Sequence, residues 1–101
     1  MPLAHVVTFT FSPDLPAGTL STLADRLDEL SEACPGIDSY RHGPDQGDRP
    51  GNADYAVTAV FENEDAFTAY LTSPDHRRIV AELIGPHLVG KSSVQFPIPL
   101  G

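Results

Sequence analysis

The sequence has no tryptophan, a single cysteine, and only 6 lysine and arginine side chains against 14 aspartate and glutamate, a formal net charge of -8 over 101 residues. Each shortage excludes something. One cysteine, Cys34, cannot form an internal disulfide, so the chain is not a disulfide-stapled scaffold. The six cations are scattered from Arg26 to Lys91. Binding to nucleic acid or to an anionic membrane surface needs concentrated positive charge, so neither is an expected partner. No apolar run approaches the roughly 20 residues required to span a bilayer. No His-x-x-x-His, His-x-x-Glu-His or Cys-x-x-Cys spacing links His5, His42, His76 and His87 to one another or to Cys34, so no zinc or haem is expected. No glycine-rich phosphate loop follows a strand, since Gly43, Gly47 and Gly51 read as turn glycines, and the expected cofactor list is therefore empty. The opening Met1-Pro2-Leu3-Ala4-His5 lacks the basic-then-apolar layout of a signal peptide, and a cytoplasmic location is the expectation.

What is present is the profile of one domain over residues 1–101, with 41% hydrophobic and 20% charged residues. A chain of this size buries roughly two thirds of its unfolded surface, so pairing with a second copy is a natural source of further burial. From Leu3 to Phe11, Leu3, His5, Val7, Phe9 and Phe11 alternate with Ala4, Val6, Thr8 and Thr10, which predicts a strand with two largely apolar faces. Leu20, Leu23, Ala24, Leu27, Leu30 and Cys34 then recur at helical spacing. Thr19 or a nearby residue is the expected cap of that helix, and Pro35-Gly36 its end. Cys34 reads as a small buried hydrophobe.

Residues 37–43 form a weaker strand candidate, and Pro44 to Asn52 is a loop dense in turn formers, either a plain irregular hairpin or a lid over a pocket. Asp54 to Phe61 alternates as a central strand. Asn63 can cap a short helix that holds Glu64 and Asp65 in its first turn and presents Phe67, Tyr70 and Leu71 on one side. Ser73-Pro74-Asp75 opens a second helical piece with Ile79, Val80, Leu83 and Ile84 as its stripe, ended by Gly85-Pro86. A last strand runs from about Leu88 to Ile98. His42 and His87 are expected in loops. The order strand, helix, strand, strand, split helix, strand predicts an α+β, ferredoxin-like βαββαβ fold, with a four-stranded antiparallel sheet and the helices on one face. Ala4, Val6 and Ala56 on the other face make a poor solvent surface, which predicts a homodimer through the open sheet face.

The early His5 with Phe9 and Phe11, the Pro35-Gly36-Ile37 join, Gly43, Asn52-Ala53-Asp54-Tyr55, Phe61, and above all Tyr70-Leu71-Thr72-Ser73-Pro74-Asp75-His76, occur in the order and spacing of a known family. Over essentially its whole length the chain resembles the stress-responsive A/B-barrel (Dabb) family. That resemblance implies a ferredoxin-like fold whose sheets pack face to face across a dimer as an α+β barrel. Many members are stress-induced proteins without an assigned reaction. One, a plant polyketide cyclase of similar size, closes a linear polyketide by intramolecular aldol chemistry, and its catalytic tyrosine, histidine and first-strand histidine correspond to Tyr70, His76 and His5. The sequence departs from the family pattern at Ser73, often histidine, and at Gln95-Phe96, commonly Asp-Tyr, which removes a carboxylate from the site.

The residues themselves suggest a chemistry. His76, at a helix start where the dipole disfavours imidazolium, is a candidate neutral base for a carbon flanked by two carbonyls. Tyr70 is the candidate polariser of a keto oxygen, and His5 could hold a second oxygen or a carboxyl end. Phe9, Phe11, Leu23, Leu27 and Ile79 are candidates to wall an apolar pocket for a small hydrophobic, phenolic or β-keto ligand. Against this stands a closed core in which the same groups are satisfied structural polar residues of a non-catalytic, dimeric stress-response protein. A cofactor-free monooxygenase, suggested by fold analogy alone, is a third expectation that a requirement for dioxygen would separate.

Overall fold

The computed structural model describes residues 1–99, and the last two residues of the expected 1–101 domain lie outside the described residues. Strand β1 (Leu3–Phe11) leads through the Ser12–Gly18 turn into helix α1 (Thr19–Ala33), which is followed by β2 (Ile37–Pro44) and β3 (Tyr55–Phe61). Helices α2 (Glu64–Thr72) and α3 (Pro74–Ile79) come next, and a π turn (Val80–Ile84) and a 3-10 turn (Gly85–His87) lead into β4 (Leu88–Pro97). The four strands form one sheet in the order β2-β3-β1-β4, antiparallel at every pairing. This is the ferredoxin-like arrangement, with β1 and β3 in the centre.

The alternation in β1 decides which side faces the helices. His5, Val7, Phe9 and Phe11 are buried under them together with Tyr55, Val57, Ala59 and Phe61 of β3 and Leu23, Leu27 and Leu30 of α1. On the opposite face Val6, Thr8, Ala56 and Val60 are only half-buried, and Val94 and Phe96, which lie across from Val6 and Ala4, are about half exposed.

Local chemistry accounts for most boundaries. The Asn63 side chain accepts from the Ala66 amide, and Ser73 accepts from the His76 amide with Pro74 at the first helical position. At α1 the cap is the residue beside Thr19. Thr19 is the first helical residue rather than the cap, and Gly18 occupies the cap position in the left-handed region (φ 88°) without a side-chain hydrogen bond. Gly85-Pro86 does not end the helix outright either, because the π turn relaxes into the 3-10 turn first.

Gly36 carries the join between α1 and β2. Its φ is 84°, its carbonyl accepts from the Glu62 amide at 2.8 Å, and a Cβ placed on it would lie 2.6 Å from Cβ of Ala66 in α2. Gly36→Ala adds a left-handed backbone penalty to a steric conflict between rigid groups. The expected cost is about 2–4 kcal/mol, measurable as a lower urea midpoint at unchanged m-value.

The Pro44–Asn52 segment is pinned by Asp45, which accepts from the Gly47 amide and the Asn52 side chain (2.9 and 3.0 Å). None of its residues lines the cavity described below, so it is an irregular hairpin connection and not a lid.

Candidate functional site

Between the helices and the inward face of the sheet lies a cavity of about 300 Å³. β1 supplies His5, Val7 and Phe9 to its wall, α1 supplies Leu27, and α2 and α3 supply Phe67, Tyr70, His76 and Ile79. The fourth wall is β4, where the sheet register sets Gln95 beside His5, Ser93 beside Val7 and Lys91 beside Phe9. Of the apolar residues expected to line a pocket, Phe9, Leu27 and Ile79 do so. Phe11 and Leu23 do not, and that expectation is corrected: both lie in the core among the α1 and β1 side chains, away from the cavity. Lys91, Ser93 and Gln95 had not been anticipated on the wall. Alternation along β4 put them on one face, but only pairing with β1 decides that this face meets the helices.

The fold brings His5, Tyr70 and His76 together. The Tyr70 and His76 rings meet edge to face with centroids 4.8 Å apart, and the His5 ring lies 6.3 Å from Tyr70 and 4.9 Å from Phe67. The three histidine and tyrosine side chains differ in how their polar atoms are used. The Gln95 side-chain amide donates to Nδ1 of His5 at 2.8 Å. An accepting Nδ1 fixes the neutral tautomer with its proton on Nε2. Burial is the main cause that lowers the His5 pKa, followed by the nearby His76 and Lys91. Gln95 therefore orients His5 without the charge that would favour imidazolium.

His76 is also held below its ordinary pKa, first by burial and then by the charge of Lys91. The direction agrees with the expectation from sequence, but the main cause is desolvation. Among the described residues no group hydrogen-bonds to its ring nitrogens; its backbone N–H donates to the Ser73 hydroxyl at 3.1 Å.

The Tyr70 hydroxyl is 2.7 Å from that of Tyr40 on β2. Burial pushes Tyr70 up to about 12 and raises Tyr40 further still. Either hydroxyl can donate in this pair, and burial keeps both protonated near neutral pH. Of the two, Tyr70 is the less strongly raised, the hydrogen bond with Tyr40 offsetting part of the effect of burial. Tyr40 went unrecognised because the alternation in residues 37–43 is weak.

The loop assignment of His42 is corrected as well. It lies on β2 with its ring buried, donating from Nε2 to Asp28 at 2.6 Å and accepting at Nδ1 from the Tyr55 hydroxyl at 2.7 Å. This chain ties β2 to α1 and β3 and lies outside the cavity lining. His87 sits in the 3-10 turn, where its carbonyl accepts from the Ser12 amide. Cys34 is half-buried against the core, and burial raises its thiol pKa, so it is not a poised nucleophile. Among the described residues no group of three or more His, Cys, Asp and Glu converges as metal ligands would, and no helix is long and apolar enough to cross a membrane.

The sequence profile of the stress responsive A/B barrel domain matches residues 3–96. The chain belongs to the Dabb family. Among solved structures, a dimeric ferredoxin-like protein of unknown function from Thermobifida fusca is 34% identical, with a TM-score of 0.88, over 97% of this chain and 92% of its own. A Dabb family protein from Mesorhizobium loti is 18% identical with a TM-score of 0.76, covering 99% of this Dabb chain and 98% of that one. A hydroxynitrile lyase from Passiflora edulis is 18% identical with a TM-score of 0.80, over 97% and 94%. The latter two share the Dabb protein's fold. No curated protein sequence matches it.

The buried histidines give the Dabb domain a pH-dependent stability. Their folded pKa values lie below the ordinary value of 6.5, so the unfolded chain binds more protons as the pH falls through that value. Unfolding free energy therefore rises with pH through this window, levels off above about 6.5, and is lost on acidification. Urea midpoints at pH 7 and pH 5 should show the drop, and a His5→Gln, His76→Gln double variant should show a smaller one.

Proposed function

We propose that this protein is a cofactor-independent cyclase or lyase that removes a proton from carbon flanked by two carbonyl groups in a small polyketide-like or other β-dicarbonyl substrate. The observation that carries this reading is His76, a largely buried imidazole held neutral, without a protein partner for its ring nitrogens, on the wall of an apolar cavity and edge-on to a tyrosine. In the proposed reaction His76 accepts the proton. The negative charge that develops on the carbonyl oxygen is met by the Tyr70 hydroxyl, which is hydrogen-bonded to that of Tyr40, and His5 offers Nε2–H to a second oxygen. Attack of the carbanion on a second carbonyl closes a ring, and the alkoxide formed takes back the proton from His76; in the reverse direction His76 removes a hydroxyl proton, the carbon–carbon bond breaks, and the released carbanion takes that proton. That a protein of the same fold is a hydroxynitrile lyase supports the lyase branch.

On this reading a second copy covers the open sheet face. Val94 and Phe96 beside Val6 and Ala4 give that face its apolar character, and structures of the same fold are described as dimeric. The reaction takes place in the cytoplasm, where the lone Cys34 stays a thiol.

The test is deuterium exchange at the acidic carbon of a β-keto thioester in D₂O, followed by NMR with and without the protein. Exchange well above the solvent background supports proton abstraction. Binding without exchange favours the second reading, a non-catalytic dimeric binding protein, to which the use of the Tyr70 hydroxyl by Tyr40 and of His5 by Gln95 lends weight.

A further inference from the structure

Lys91 is the sole lysine of a chain whose formal net charge is -8, and it stands on the rim of this cavity. The side chains around it are apolar or neutral, and no aspartate or glutamate lines the cavity. Among the described residues the ion pairs are Arg26–Glu82 and Arg78–Asp75, and neither involves Lys91. A protein so rich in carboxylates repels anions over most of its surface and has many acids that could pair with a lysine. This one has no ion-pair partner among the described residues and stands on the wall of an apolar cavity.

We propose that the cavity takes a ligand carrying a carboxylate, with Lys91 as the residue that recognises its anionic end. The inference rests on the proton-abstraction reading for what happens at the other end of the ligand, but not for binding itself. Phe9↔Lys91 and His5↔Gln95 are register partners, so the cation and the His5–Gln95 pair lie four residues apart, about 13 Å of strand before the lysine stem reaches back. A phenolic or keto acid of one ring or a short acyl chain can span that interval. Its carboxylate meets Lys91 and its oxygen meets His5, while its middle carbons pass His76 and Tyr70. The same ammonium disfavours protonation of both histidines, and a bound carboxylate offsets that influence.

The experiment compares 4-hydroxyphenylacetate with 4-hydroxyphenylacetamide, a pair matched in shape and different in charge, by NMR titration of the full chain at low salt. The wild type should bind the carboxylate about tenfold more tightly than the amide. That preference should shrink as salt is added, disappear in Lys91→Met and survive in Lys91→Arg. Lys91 is exposed, so the methionine variant keeps the stem and the fold, which its melting curve checks. Equal binding of both probes by the wild type, or a preference that persists in Lys91→Met, overturns the role of Lys91 and leaves the cavity reading standing. If neither probe shifts the resonances of cavity residues, the cavity reading fails and this inference fails with it.

Discussion

Replacing His76 by alanine is expected to reduce protein-dependent proton exchange by about 10²–10⁴-fold, the usual contribution of a positioned general base. The size of the effect follows from the lack of a substitute. His5 already spends Nδ1 on Gln95, and the Tyr70 hydroxyl, with a pKa of about 12, is not a base near neutral pH. The pH profile has a definite sign. A base must be deprotonated to act, so the rate rises with pH through the folded pKa of His76 and is flat above it. Because burial and Lys91 lower that pKa, the plateau should extend below the 6.5 of an ordinary histidine. A His76→Ala variant that retains wild-type exchange, or a profile that keeps rising well above neutrality, removes His76 from the role of base. Tyr70→Phe serves as the comparison, since it deletes the hydroxyl shared with Tyr40 and leaves the ring packed against His76.

The largest loss of stability is expected from Phe61→Ala, about 3–5 kcal/mol. Phe61 is completely buried, and in the sheet it lies across from Leu3 on one side and Ile37 on the other, so its ring sits where three strands meet the helices. It also supports the candidate site from below, with ring centroids 5.1 Å from Tyr70, 5.3 Å from Phe67 and 6.4 Å from His5. Truncation leaves a void that rigid aromatic neighbours fill poorly, and it frees the Tyr70 ring to tilt away from His76. Urea unfolding should show the lost free energy, and ligand titration of the variant at low temperature should show weaker binding although no residue of the cavity wall has changed. A loss below about 1 kcal/mol would mean that α2 collapses onto the sheet and that the aromatic cluster is not what holds Tyr70 in place.

Most of the fold was legible because its signals are local. Alternation in Leu3–Phe11 and Tyr55–Phe61, the leucine stripe of α1, and the Asn63 and Ser73 caps each depend on residues a few positions apart, and each appears where such patterns place it. The cap of α1 falls beside Thr19 for an equally local reason: a left-handed glycine can begin a helix without any side chain. The approach of His5, Tyr70 and His76 was also foreseeable, since one strand face, the inward side of α2 and the start of α3 were already assigned.

The sequence by itself determined the element order, the buried face of each central strand and the family. Tertiary structure alone decided that Gln95 holds His5, that Tyr40 shares its hydroxyl with Tyr70, that His42 joins Asp28 to Tyr55, and that Lys91 stands at the cavity while Phe11 and Leu23 do not. The physical reason is one of range. Periodicity says which face a side chain occupies, but which side chain it meets there depends on the register between strands, and the partners His5 and Gln95 are 90 residues apart. Such a register is set by the packing of the whole sheet under its helices, and no short stretch of sequence contains it.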